Sequence, residues 1–180
     1  IAKKNITSSK SFGKLVTDKK ELMNAIANYT TKACHKLRLQ NSKAQGLYVY
    51  LRTNPFRRQD PQYDNGITYG FMEPSDDTTF IIQAARKCLE QIYSKGYKYH
   101  KAGIMLLDLV PASYKQMEMF DTEETQARSK LMKTIDVMNN SMGQDTIRFA
   151  AQGIDHPWAR KCEHRTPRYT TNWDELVKVR

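Results

Sequence analysis

The sequence predicts a two-layer α+β domain over residues 1–112, running strand, helix, strand, strand, helix, strand, and followed by a C-terminal stretch of different character. Three observations predict it. Short segments alternate apolar with polar residues, the period of half-buried strands. Two longer segments carry apolar residues at helical spacing behind capping signals. The charge is also uneven: residues 1–113 hold 18 Lys/Arg against 9 Asp/Glu, whereas the remainder holds 11 against 10.

Residues 3–12 are rich in Ser and Thr, show no helical stripe and read as the first strand. Asp18 followed by Glu21 has the form of a capping box. Leu22, Ile26, Tyr29, Ala33 and Leu37 then recur down one face of the helix that it opens. After Gly46, Leu47, Val49 and Leu51 alternate with Tyr48, Tyr50 and Arg52 in a second strand. The loop 54–65, with Pro55 and Pro61, is too long for a tight hairpin. Ile67, Tyr69 and Phe71 mark a third strand. Pro74 to Asp77 stop it and cap a second helix, striped by Ile81, Ala85, Cys88 and Ile92 and ended near Gly96. A fourth strand runs from about Tyr99 to Leu109 and is closed by Pro111.

Helices after strands one and three cover one face of such a sheet and leave the other bare. With Leu47, Val49 and Leu51 turned to the helices, Tyr48, Tyr50 and Arg52 face outward. Thr68 and Gly70 join them, as do Lys101, Gly103 and Met105. Strand one adds Lys4, Thr7, Ser9 and Lys10, in a register that the alternation leaves open. Small hydroxyls, glycine and cations let a phosphate backbone come close. The net charge of +10 adds a salt-dependent attraction for a polyanion. Two other uses of this face stay open: a solvated or domain-covered surface, and a base-stacking platform built on Tyr48 and Tyr50.

The sequence also excludes. The longest apolar run, Ile104–Leu107, is interrupted by Asp108 soon after it begins and is far too short to span a bilayer. Cys34, Cys88 and Cys162 are far apart, which points to a reducing compartment without a disulfide frame. Four scattered histidines, no phosphate loop and no nucleophile elbow leave no catalytic constellation. Cys162-Glu163-His164 is too tight for a zinc motif, and Asp76 and Asp77 read as caps before ligands. The chain opens at Ile1, not Met, and is read as a piece of a longer protein.

Residues 113–125 form a locally acidic link, and 126–180 a third region. Leu131, Ile135, Met138 and Met142 make a helical stripe ended by Gly143; Thr146–Ala150 reads as a short strand. A small, weakly packed unit ordered by a partner is expected there. Within the link, Gln116-Met117-Glu118-Met119-Phe120 sets an amide ahead of Met and Phe. Such a peptide either inserts into a partner's apolar pocket or folds back on its own domain.

Several stretches together resemble the C-terminal part of the UmuC-type Y-family translesion DNA polymerases. They are Lys4–Gly13, Arg52–Phe56, Lys101–Leu109, Gln116–Phe120, Phe149–Gly153 and Pro167–Thr171. The resemblance implies that residues 1–112 are a little finger, a βαββαβ domain whose sheet holds template–primer DNA by its backbone. It makes Gln116, Met117, Met119 and Phe120 a sliding-clamp peptide, with Met in place of the usual leucines. It implies a UmuD′ dimer and a RecA filament as partners of residues 126–180, an SOS role, and a bacterial, cytoplasmic, nucleoid-associated setting. It places the polymerase carboxylates and their Mg2+ upstream, so the piece itself is expected not to be an enzyme. A single-stranded nucleic-acid module and a protein-interaction scaffold remain the alternative classes.

Overall fold

The computed structural model describes residues 4–113 and 123–159, together with 166, 167, 170 and 176. The clamp-like peptide Gln116–Phe120 and the Cys162–His164 segment lie outside the described residues.

The predicted order is present: β1 (Ile6–Val16), α1 (Lys19–Leu39), β2 (Ser42–Thr53), β3 (Asp64–Ser75), α2 (Thr78–Ile92) and β4 (Tyr99–Leu107). A two-residue β5 (Val110–Pro111) pairs with the start of β2. The sheet order is β1-β4-β2-β3, with each neighbouring pair antiparallel. β4 therefore lies between β1 and β2, and β2 between β3 and β4, so the two βαβ crossovers interlock. Both helices pack on the side of Leu47, Val49, Leu51, Ala102, Ile104 and Leu106, which are all fully buried.

Local chemistry explains the helix boundaries. Asp18 caps α1, its carboxylate accepting from the Glu21 N–H at 3.1 Å. Asp77 caps α2 by accepting from the Thr79 N–H at 2.8 Å. Both predicted apolar stripes are buried. The end of α2 is corrected: it stops at Ile92, and Gly96, at φ +99, belongs to the turn into β4. The core also silences the thiols. Burial pushes Cys34 up to about 12 and raises Cys88, so neither offers a thiolate.

Among the described residues of the C-terminal stretch, Trp158 departs from the expected weak packing. Trp158 is 5% exposed and sits in the main core, edge-on to Phe12 at 6.2 Å and Tyr29 at 5.7 Å. The Gly13 N–H donates to its carbonyl at 3.1 Å. The expected strand at 146–150 is absent; a single 3-10 turn, Ala150–Gln152, packs on α1. Helix α3 (Glu123–Met142) ends before Gly143 as predicted, but it docks through another face. Met132 is buried, whereas Leu131, Met138 and Met142 of the predicted stripe are exposed.

Ion pairing decides that docking face. Arg38 of α1 donates through Nε and Nη2 to the two oxygens of Asp136, at 2.6 and 2.9 Å. Its Nη1 donates to the Asp76 carbonyl and to the Thr78 hydroxyl. His35 Nδ1 lies 3.1 Å from the same carboxylate. Burial raises the Asp136 carboxyl, but Arg38 and then His35 outweigh it and hold the group below its usual range. A depressed carboxylate contributes stability above its unfolded value and loses it as pH falls through the folded one.

Replacing Asp136 by Asn should therefore cost about 2 kcal/mol of stability, because it strips a nearly buried guanidinium of its charge-assisted bonds. Urea unfolding above pH 6 measures this. The difference between the two proteins should shrink as the solution is acidified through the carboxylate range.

Candidate nucleic-acid interface

The face of the sheet opposite the helices is built by register. Tyr48 pairs with Thr68 and Met105, Tyr50 with Gly66 and Gly103, and Arg52 with Asp64 and Lys101. On the other flank Thr7, Ser9 and Ser11 pair with Met105, Gly103 and Lys101. Pleating puts all of these on one side. The structure thus gathers Thr7, Ser9, Tyr48, Tyr50, Arg52, Thr68, Lys101 and Gly103 of the predicted set, and no described helix covers them.

Two predicted residues fall elsewhere. Lys10 pairs with Ala102, a helix-facing position, so the register turns it away from the bare face. Lys32 of α1 is lowered first by burial and then by the charge of Lys10, which agrees with that placement. Lys4 precedes β1, where its carbonyl accepts from the Leu109 N–H at 3.2 Å.

Glycines set the height of this face. A Cβ on Gly103 would stand 2.5 Å from Ser9 Cβ and 2.7 Å from two atoms of the Tyr50 ring. A Cβ on Gly66 would stand 2.2 Å from the Tyr48 hydroxyl oxygen. Each ring therefore lies down over a glycine of the neighbouring strand. The two rings stack at 5.9 Å with 26° between planes, and Arg52 Cζ is 5.1 Å from the Tyr50 centroid. Tyr50 is only 8% exposed although no helix covers it. A ring held between a glycine floor and a guanidinium offers little surface to an incoming base.

The cations are fewer on this face than the charge asymmetry suggests. In the four-stranded ladder its cations are Arg52 and Lys101. Arg52 is shared with Asp64 at 2.9 Å, and Lys101 makes no ion pair with a described residue. Lys19, Lys20, Lys32, Lys36, Arg38, Arg86 and Lys87 lie on the two helices. Further cations, Arg57, Arg58 and Lys98, cluster in the connections at the Arg52 end of the sheet. The alternation signal found the strands; it carries no information on which way the cations of the helices point.

Sequence reasoning missed Gly66 and Ser11. Gly66 falls between the loop 54–65 and the alternation that starts at Ile67, though it precedes Thr68 by two and shares its face. Ser11 was obscured by the irregularity between Ser11 and Val16. A cavity of about 420 Å³ lies at the start of β1, lined by Asn5, Ile6, Thr7, Lys36, Leu39 and Gln40. Its lining has one cation and no carboxylate, thiol or imidazole, so it lacks an acid–base or nucleophilic pair. Among the described residues no three His, Cys, Asp or Glu side chains gather to hold a metal ion. No described helix is long and apolar enough to cross a membrane.

The fold and this face define a two-layer α+β domain with a bare, glycine-floored sheet. The chain belongs to the impB/mucB/samB family: that family's C-terminal domain matches residues 3–119, and a domain of unknown function (DUF4113) matches residues 129–179. UmuC from Salmonella typhimurium is 38% identical over 180 residues, covering 99% of this chain and 43% of UmuC. MucB from Escherichia coli is 34% identical over 176 residues, covering 97% of this chain and 41% of MucB. The chain thus spans less than half the length of these curated relatives. Among solved structures, an insertion ternary complex of Dbh DNA polymerase is similar with a TM-score of 0.45 and 14% identity, over 59% of this chain and 29% of that one. The little finger domain of PolIV, solved in complex with the beta-clamp processivity factor, is similar with a TM-score of 0.40 and 14% identity, over 64% and 97%.

Substitution at the glycine floor separates packing from chance. Gly103→Ala should lift the Tyr50 ring and cost about 2 kcal/mol by overpacking. Gly70→Ala, with nothing within 4 Å of its added Cβ, should stay within about 0.5 kcal/mol of the parent. Urea unfolding of both reads the difference.

Proposed function

We propose that this chain is the DNA-holding, clamp-docking C-terminal part of a translesion DNA polymerase acting in the SOS response, beside the bacterial chromosome. The sheet face grips the sugar–phosphate backbone of template–primer duplex. The observation that carries this reading is the low face, where Gly66 and Gly103 hold the tyrosines down among Thr7, Ser9 and Thr68, with Arg52 and Lys101 at one end. Hydroxyls and backbone groups donate to phosphate oxygens at short range, and the two cations supply charge. The wider basic charge of the domain attracts the duplex from a distance, with no demand on sequence. A grip of this kind tolerates a distorted template, since it reads no base edges.

Family membership at 38% identity to UmuC supports the polymerase context. In that context Gln116, Met117, Met119 and Phe120 bind the sliding clamp. The thioethers fill the apolar subsites that leucine would take, and docking raises the polymerase's local concentration at the primer end. Residues 126–180 are the region proposed to meet UmuD′ and RecA. The synthesis itself and its Mg2+ belong to the rest of the polymerase.

Two experiments test this. Arg52→Ala with Lys101→Ala should weaken duplex binding on every sequence alike and reduce the slope of log K against log salt by about 2; anisotropy titration across salt measures it. An unchanged slope would reject the face, and an altered sequence preference would indicate base readout. For the peptide, Met119→Ala with Phe120→Ala should lower affinity for a bacterial sliding clamp at least tenfold, a typical loss when two pocket anchors are truncated. Surface plasmon resonance with immobilised clamp gives the answer, and equal affinities would remove the assignment.

A further inference from the structure

The connection from β2 to β3 carries a feature that the grip does not use. Phe56 is 91% exposed at its tip. A lone exposed apolar residue is ordinary on a protein surface, but two circumstances set this one apart.

The loop beneath it is tied down. The Phe56 N–H donates to Asn54 Oδ1 at 3.0 Å, the Arg57 N–H to the Asn54 carbonyl, and the Asp60 N–H to the Arg57 carbonyl. The Gln62 amide donates to the carbonyls of Arg57 and Asp60 and accepts from the Thr53 hydroxyl. Asp60 binds Arg57 at 2.7 Å and Lys98 at 2.8 Å, and these two hydrogen bonds hold its carboxyl below the usual range. The ring is thus presented by an ordered backbone.

Its surroundings are also positive. Arg57 and Lys98 share the carboxylate of Asp60, and Arg58 makes no ion pair with a described residue. The loop leaves at Thr53 and returns at Asp64, so it stands at the Arg52–Lys101 end of the bare face. An aromatic ring amid cations suits a nucleic-acid strand whose base offers a free π-face. Within a duplex those faces are covered by the stack; they are free where a strand is unpaired.

We propose that Phe56 stacks on an unpaired template base where the single strand leaves the duplex, with Arg58 against a neighbouring phosphate. This rests on the reading that the sheet holds the duplex, and it adds a contact that recognises the junction.

The test uses the whole 180-residue chain with two probes: a blunt duplex, and the same duplex with a 5′ single-stranded extension carrying 2-aminopurine at the first unpaired position. Phe56→Ala should lose about five- to tenfold in affinity for the extended probe, the scale of one aromatic–base stack, and nothing on the blunt one. Phe56→Trp should keep both affinities, and the 2-aminopurine emission should change with the parent and the Trp variant but not with Ala. Phe56→Ala should melt like the parent, since the ring is in solvent. Equal affinities of parent and Ala variant for the extended probe, or equal losses on both probes, would overturn the junction contact while leaving the sheet grip standing. Failure of the parent to bind the blunt duplex would remove the grip itself. Loss confined to sliding-clamp binding would make Phe56 a protein anchor and also overturn the proposal.

Discussion

The bare face of this domain depends on two places where a side chain is missing. Gly66 and Gly103 leave space over their strands, and Tyr48 and Tyr50 lie down into it. With any other residue there the rings would have to rise from the sheet. The stack would open, and Arg52 would lose the ring it rests over. Lying down turns two large aromatics into a low floor edged by hydroxyls. In the proposed function this lets a phosphate backbone approach main-chain and hydroxyl donors, and it removes the stacking platform that a single-strand binder would need. An upright Tyr50 would favour that competing class.

Much of this was legible in the sequence because local rules and global fold agree. Asp18 and Asp77 cap the helices, the stripes from Leu22 and Ile81 are buried, and the alternation through Leu47, Val49 and Leu51 gives the correct face. The register of β1 was not legible. Lys10 and Ser9 are neighbours in a polar, edge-strand sequence, and only pairing with Ala102 and Gly103 tells which one faces out. Nor was the distribution of charge. The excess in residues 1–113 is real, yet seven cations sit on the helices: Arg38 is nearly buried against α3, and the outer face of a helix is where the other long charged side chains are free to be placed.

The C-terminal stretch shows the opposite failure. Its apolar stripe at Leu131, Ile135, Met138 and Met142 suggests a packing face, but Ile135 is half-buried and the other three are exposed, and the helix docks through Met132 and Asp136. A buried arginine explains this. Arg38 is already held by the Asp76 carbonyl and Thr78, and it needs a carboxylate to offset its desolvation, which Asp136 supplies. Trp158 then packs edge-on against Phe12 and Tyr29, so this one residue beyond α3 shares the core of the sheet domain. Neither contact has a local sequence signature, since each joins residues about a hundred positions apart or more.

The central claim is that duplex DNA lies on the glycine-floored sheet, not on the basic outer surface of the helices. Amide chemical-shift mapping by NMR, with and without a short template–primer duplex, tests it most directly. The account predicts shifts concentrated at Ser9, Tyr50, Thr68, Lys101 and Gly103. Shifts concentrated instead around Lys20, Lys32 and Lys87, with those sheet amides unmoved, would contradict it.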